Sequence, residues 1–143
     1  MTRKLLVADL FCGAGGTSTG VARALAILGL TLELVCVNHS AVAIDTHGRN
    51  HPYARHYCQD LATVRPSAVV KEGYLDLLCA SPTCTHHSIA RGGKPTSDQQ
   101  RSDPWHVITW LTELRVRCLI IDAAANRGRA ARCARPHGAR THR

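Results

Sequence analysis

Two groups of residues have the types and spacing to do chemistry. The first is Asp9-Leu10-Phe11-Cys12-Gly13-Ala14-Gly15-Gly16-Thr17-Ser18-Thr19-Gly20. A glycine-rich turn after an apolar run lets a ligand approach the backbone, and a following helix N-terminus attracts an anionic group. A dinucleotide pyrophosphate or the carboxylate of S-adenosylmethionine would both suit it. The dinucleotide pattern Gly-x-Gly-x-x-Gly fails, because its third glycine falls on Ser18, and no Gly-Lys-Ser/Thr of a P-loop is present. A tight turn without a ligand is the structural alternative. The second group runs from Ala80 to Pro95 and contains Pro82, Cys84, His86, His87, Ser88, Arg91 and Lys94. Cys84 stands among polar residues, where nearby His, Arg and Lys favour the nucleophilic thiolate. Two rival readings of this loop are an inert cysteine and zinc held by Cys79, Cys84, His86 and His87. The zinc spacing fits no closed structural site.

These groups need a scaffold that holds them at one end. Residues 4–9, Leu32–Val37, Arg55–Cys58, Tyr74–Ala80 and Arg117–Ile121 read as five strands. Val21, Leu25 and Leu28 recur at helical spacing after Thr17, Ser18 and Thr19, which are candidate N-caps, and Gly29 closes that helix. Ala41–Arg49 and Trp105–Leu114 read as two further helices, the last preceded by a long polar loop from Pro82 to Pro104. Alternating strands and helices predict an α/β domain with a parallel sheet. The loop with Cys84 then follows the carboxyl end of the fourth strand, where open α/β sheets bind ligands.

The chain has 143 residues, enough for one domain, with 45% apolar and 20% charged residues. The amino terminus resembles a signal peptide, but Asp9 interrupts its apolar run and no small-residue cleavage site follows closely. The expectation is a soluble cytoplasmic protein with no membrane partner. The net charge of +8 is concentrated at one end: Arg127, Arg129, Arg132, Arg135, Arg140 and Arg143 lie in a stretch without acids. Residues 1–122 carry only the remaining +2. Residues 123–143 hold no Leu, Ile, Val, Phe, Trp or Tyr and cannot bury a core face, which predicts a disordered tail or a frame-shifted product. An arginine-rich nucleic-acid arm is the alternative. Cys12, Cys36, Cys79 and Cys118 sit in or beside apolar runs and are expected to be buried free thiols.

Together, the Asp9–Gly16 turn and the Pro82-Thr83-Cys84-Thr85-His86-His87-Ser88 loop resemble the cofactor and catalytic loops of DNA (cytosine-5)-methyltransferases of the bacterial and phage type. Asn50-His51-Pro52 and Gln59-Asp60 also stand where that family's pattern has them. The resemblance covers about residues 4–122. It implies a Rossmann-like fold that binds S-adenosylmethionine, DNA methylation as in restriction–modification, and a DNA-binding enzyme.

By resemblance, Phe11 packs on the adenine of the cofactor, and the backbone of Gly13, Gly15 and Gly16 takes its methionine part. Asn38 and His39 stand at the ribose, Asp60 at the adenine amino group, and Asp9 and Pro82 complete the cofactor set. Cys84 is the implied nucleophile, adding to carbon 6 of a cytosine flipped out of duplex DNA so that carbon 5 can accept the methyl group. Ser88, Arg91 and Lys94 fall to the DNA substrate, and no metal is implied.

The departures are specific. The family usually has Pro-Pro-Cys-Gln at the catalytic loop and an acid near position 39. It places Glu-Asn-Val after the fifth strand, whereas this chain has Asp122-Ala123-Ala124. A complete member needs on the order of twice this length, for a catalytic and a DNA-reading domain. The expectation is an amino-terminal half of the catalytic domain over 1–122, truncated after about the fifth strand and inactive alone. A complementing carboxy-terminal chain is its expected partner. The alternative is a non-catalytic S-adenosylmethionine-binding fragment.

Overall fold

The computed structural model describes residues 3–82 and 99–122, with the side chains of the second stretch described from residue 105 onward. Nine elements follow in chain order: β1 (Lys4–Leu10), α1 (Gly16–Ile27), β2 (Thr31–Asn38), α2 (Ala41–Asn50), β3 (Arg55–Cys58), α3 (Pro66–Val69), β4 (Tyr74–Ala80), α4 (Gln99–Glu113) and β5 (Arg115–Ile121). The strands form one parallel sheet in the order β3-β2-β1-β4-β5.

Period-2 alternation along the strands separates two cores. Leu6, Ala8 and Leu10 of β1 join Val35, Val37, Leu75 and Leu78 on one face, closed by Val69 of α3 and by Val107 and Trp110 of α4. Val7 faces the other way, with Cys12, Leu25 of α1, Leu34, Cys36 and Cys79. Because β1 lies between β2 and β4, the chain reverses its direction of strand addition there. The carboxyl ends of β1 and β4 therefore flank a crevice, the place where open α/β sheets bind ligands.

Four local expectations are corrected. None of Thr17–Thr19 is the N-cap of α1; the helix starts from Gly15, which takes the left-handed conformation that those residues would adopt only at a cost. The last helix begins at Gln99 rather than Trp105, and Pro104 lies inside it, where its ring removes one backbone donor without ending the helix. The short α3 was not read from the sequence, since four residues carry too little periodicity. Cys118 is exposed, not buried. Among the described residues β5 pairs only with β4, and beside Cys118 lies an open groove lined by Leu5, Leu30, Leu77 and Arg117. Leu119, Ile120 and Ile121 on the same strand are 39%, 50% and 51% exposed.

Cys12, Cys36 and Cys79 are buried free thiols, as expected. Among the described residues no helix is long and apolar enough to cross a membrane.

Candidate cofactor and catalytic site

The turn between β1 and α1 is built on left-handed backbone. Phe11 has φ 58°, the only non-glycine with positive φ among the described residues, and Gly13 and Gly15 have φ 53° and 99°. A phenylalanine held there stores strain that the surrounding structure must offset. Its side chain is half-buried against the core on the α4 side. The Gly15 N–H closes the turn on the Cys12 carbonyl at 3.0 Å, and the Thr19 N–H starts α1 on the Gly15 carbonyl at 2.9 Å.

The glycines differ in what requires them. A Cβ at Gly13 would meet only the Phe11 carbonyl oxygen at 4.0 Å, and one at Gly16 would meet nothing within 4 Å. Among the described residues nothing crowds these two positions. A Cβ at Gly15 would lie 2.8 Å from the His51 ring and 3.1 Å from His47. Gly15 is thus required by packing against two histidines of the α2 region.

Those histidines belong to a buried polar chain beneath the turn. Ser18 Oγ donates to Asp9 Oδ2 at 2.6 Å, which commits its only proton. His47 Nε2 must then donate to Ser18 Oγ, at 3.0 Å, and His47 Nδ1 accepts from His56 Nε2 at 2.9 Å. Cys36 Sγ lies 3.4 Å from His47 Nε2. Burial pushes the Asp9 carboxyl up to about 6, against the lowering effect of the Ser18 hydrogen bonds. Burial, then the neighbouring His51 and His56, pulls His47 down to about 4, so it is neutral at pH 7. Asp9 Oδ1 has no partner among the described residues. The Asp9 carboxylate is therefore a buried support of the turn, 1% exposed, rather than a group presented at its surface.

The remaining candidates at this end of the sheet are ordered by short turns. Asn38, at the end of β2, accepts from the Ser40 N–H at 2.9 Å and so sets the entrance to α2. His39 is exposed. Asp60, after β3, accepts from the Ala62 N–H at 2.9 Å. Ser81 extends the pairing of β4 by donating its N–H to Leu10 O at 3.1 Å, and its hydroxyl meets Thr17 Oγ1 at 3.5 Å. Pro82 is buried. The Asp122 N–H bonds Ala80 O at 2.9 Å, which holds Asp122 beside the end of β4. Phe11, Gly13, Gly16, Asn38, His39, Asp60, Pro82 and Asp122 thus all follow the carboxyl ends of strands in one sheet. Cys84, Ser88, Arg91 and Lys94, with the alternative zinc residues His86 and His87, lie outside the described residues. So do residues 123–143.

The profile of C-5 cytosine-specific DNA methylases matches residues 5–121, nearly the whole of this sheet and its turns. The chain belongs to that family. Among solved structures, this chain is similar to a DNA modification methyltransferase encoded within a prophage (E. coli), with 27% identity and a TM-score of 0.60. The match covers 77% of this chain and 29% of that protein. It is also similar in fold to Spodoptera frugiperda DNMT2, at 20% identity and TM-score 0.61, covering 85% and 35% of the two chains. The plantazolicin methyltransferase BpumL, solved with SAH, shares the fold at 17% identity and TM-score 0.51, covering 77% and 35%. The chain thus spans about a third of the length of these relatives. No curated protein matches its sequence.

His47, His51, His56 and Ser18 were not singled out in the sequence as functional. The available signal was three histidines within ten residues, two of them one helical turn apart at positions 47 and 51.

Proposed function

We propose that this chain binds S-adenosylmethionine at the carboxyl ends of β1 and β4 and carries the nucleophile for methylation of cytosine at carbon 5 in DNA. The observation that supports this most is the common placement of the β1 turn, Asn38, Asp60 and Pro82 at the carboxyl edge of one sheet, beside the reversal in strand order. The fit is favourable: among the described residues nothing crowds Gly13 or Gly16, and α1 starts from Gly15, which has no side chain to cap it. The helix dipole and the backbone donors at that end suit a carboxylate. The similarity to a methyltransferase solved with SAH agrees with this choice of cofactor.

Phe11 offers its ring to the adenine, and the Gly13 and Gly16 backbone holds the methionine part. Asn38 and His39 border the ribose, and Asp60 accepts from the adenine amino group. Asp9 acts through Ser18 as a positioning residue for the turn. The bound cofactor supplies an electrophilic methyl group.

Cys84 follows Pro82 by two residues in the sequence. Its thiolate adds to carbon 6 of the flipped cytosine, and the ring electrons move to make carbon 5 nucleophilic. After methylation, carbon 5 loses its proton, the electrons return, and Cys84 leaves as thiolate. Ser88, Arg91 and Lys94 would contact the DNA. Asp122, whose N–H bonds Ala80 O, takes the place of the family's Glu with a carboxyl group one methylene shorter. The basic residues of 127–143 add a sequence-independent attraction to phosphates.

Two measurements separate cofactor binding from catalysis. Equilibrium dialysis of the full chain with labelled S-adenosylmethionine is expected to give one saturable site that Gly13→Val weakens at least tenfold. A duplex containing 5-fluorocytosine is expected to trap a covalent complex in the presence of cofactor, and Cys84→Ala to abolish it. An adduct that persists in Cys84→Ala removes Cys84 as nucleophile. Saturable binding without any adduct favours the reading as a cofactor-binding fragment that requires a second chain.

A further inference from the structure

The buried cluster beneath the turn holds more donors than a structural support requires. The Sγ atoms of Cys12 and Cys36 and a ring nitrogen of His47 all lie within 4.8 Å of one another, and all three residues are buried. Cys36 Sγ and His47 Nε2 are 3.4 Å apart. Tetrahedral zinc, with Zn–S about 2.3 Å and Zn–N about 2.0 Å, separates such donors by roughly 3.5 Å. We propose that Cys12, Cys36 and His47 bind a soft divalent cation, zinc foremost, beneath the cofactor turn.

Charge favours this occupant. Two thiolates, one neutral imidazole and one divalent cation sum to zero, so the loaded cluster suits a buried place where a lone ion would not. Two sulfurs and a nitrogen also select zinc or cobalt over magnesium or calcium. On loading, Cys12 and Cys36 each form a sulfur–metal bond and release one proton to solvent. His47 turns its Nε2 lone pair to the metal and its proton moves to Nδ1, while His56 shifts its own ring proton from Nε2 to Nδ1, so that His47 Nδ1–H then donates to His56 Nε2. That contact, 2.9 Å long, is the outer hydrogen bond that metal-bound histidines characteristically make.

The other polar groups around the cluster are Ser18, Asp9 and His51. Ser18 Oγ lies 3.0 Å from His47 Nε2 and 2.6 Å from Asp9 Oδ2, so a water in the fourth position has a hydroxyl and a carboxylate to bond. His51 is spoken for by Gly15 O, Thr19 and Tyr53. Cys12 begins the turn that carries Gly13 and Gly15, so an ion here ties that turn to β2 and α2. Loading therefore fixes the turn against both.

The full chain, stripped by a chelator and kept reduced, should be titrated with Co²⁺. One ion per chain is expected, with thiolate-to-cobalt charge transfer and the strong visible bands of tetrahedral coordination, displaced by Zn²⁺. Cys36→Ser and His47→Ala should each lose these bands while keeping the far-UV circular dichroism of the parent, and Cys58→Ser should retain them. Bands that survive in Cys36→Ser or His47→Ala overturn the site. Bands lost in Cys84→Ser but kept in Cys36→Ser place the ion on the other cysteine–histidine group and overturn it equally. X-ray absorption of the zinc-loaded parent depends on no variant: two sulfurs with nitrogen or oxygen ligands support the proposal, and a shell without sulfur defeats it. A missing titration, or a Cys12–Cys36 disulfide that persists under reductant, also rejects it.

Discussion

His51 Nε2 donates to the Gly15 carbonyl oxygen at 3.2 Å. The carbonyl can only accept, which puts the ring proton on Nε2 and leaves Nδ1 to accept from the Tyr53 hydroxyl at 3.0 Å. Because a Cβ on Gly15 would come within 2.8 Å of this ring, the glycine and the histidine require each other.

Gly15→Ala should therefore destabilise the fold by about 3 kcal/mol, combining left-handed strain with overpacking. In a His51→Ala background the same change should cost at least about 1 kcal/mol less, the remainder being backbone strain. Urea unfolding of the two single variants and the double variant checks this. Simple additivity would show that the ring contact carries no energy.

The buried Asp9 and His47 pull stability in opposite directions with pH. Asp9 has its folded-state pKa raised from 3.8 to about 6, so folding loses about 3 kcal/mol as pH rises from 4 to 6 and the buried carboxyl must ionise. His47 has its own lowered from 6.5 to about 4, so its contribution is complete above pH 6.5 and about 3 kcal/mol is lost as pH falls to 4. In metal-free protein the two largely cancel between pH 4 and 6. Asp9→Asn should unmask His47, giving stability that climbs with pH across that window. A flat profile in Asp9→Asn, from urea midpoints at several pH values with chelator present, would contradict the assignment.

Trp110 is fully buried, yet its Nε1 has no partner among the described residues. A buried donor left unpaired costs about 1–3 kcal/mol. Trp110→Phe removes that donor along with some packing, so its net effect should stay within about 1 kcal/mol of the parent. Trp110→Ala should cost about 3–5 kcal/mol through the cavity. Equal losses in the two variants would mean that the indole N–H is satisfied in solution.

Phe11 combines a left-handed backbone with a ring at the proposed adenine position. Phe11→Ala should raise the S-adenosylmethionine dissociation constant about tenfold, the loss of one aromatic stacking partner. Isothermal titration alongside a urea midpoint separates this from a general loss of fold. Unchanged affinity would move the adenine elsewhere.

Along β5, Ile120 is half-exposed on a strand with one partner among the described residues. Unpaired apolar edges promote association between chains. Ile120→Lys should lower light scattering at high protein concentration while changing the urea midpoint little. A large fall in that midpoint would show that residue 120 is covered in solution.

Much of this protein is readable along the chain because its determinants are local. The apolar runs of β1, β2 and β4, the breaks at Gly29 and Pro52, and the left-handed turn at Gly13 and Gly15 depend on neighbours a few residues apart. So does the family resemblance, which rests on two short loops and agrees with the match over residues 5–121. Tertiary structure decided the rest. Ser18 meets His47 across 29 residues, and Leu6 N–H meets Asp76 across 70. No periodicity encodes such pairs, since they exist only once β1, β2 and β4 lie side by side in their register. The same assembly set the His51 ring where a Cβ at Gly15 would fall, and drew Asp9 under the turn with a raised pKa. It also left Cys118 exposed although Leu119, Ile120 and Ile121 follow it in the same strand. Burial is a property of where a strand stands in the sheet, and strand order is settled by packing across the whole domain.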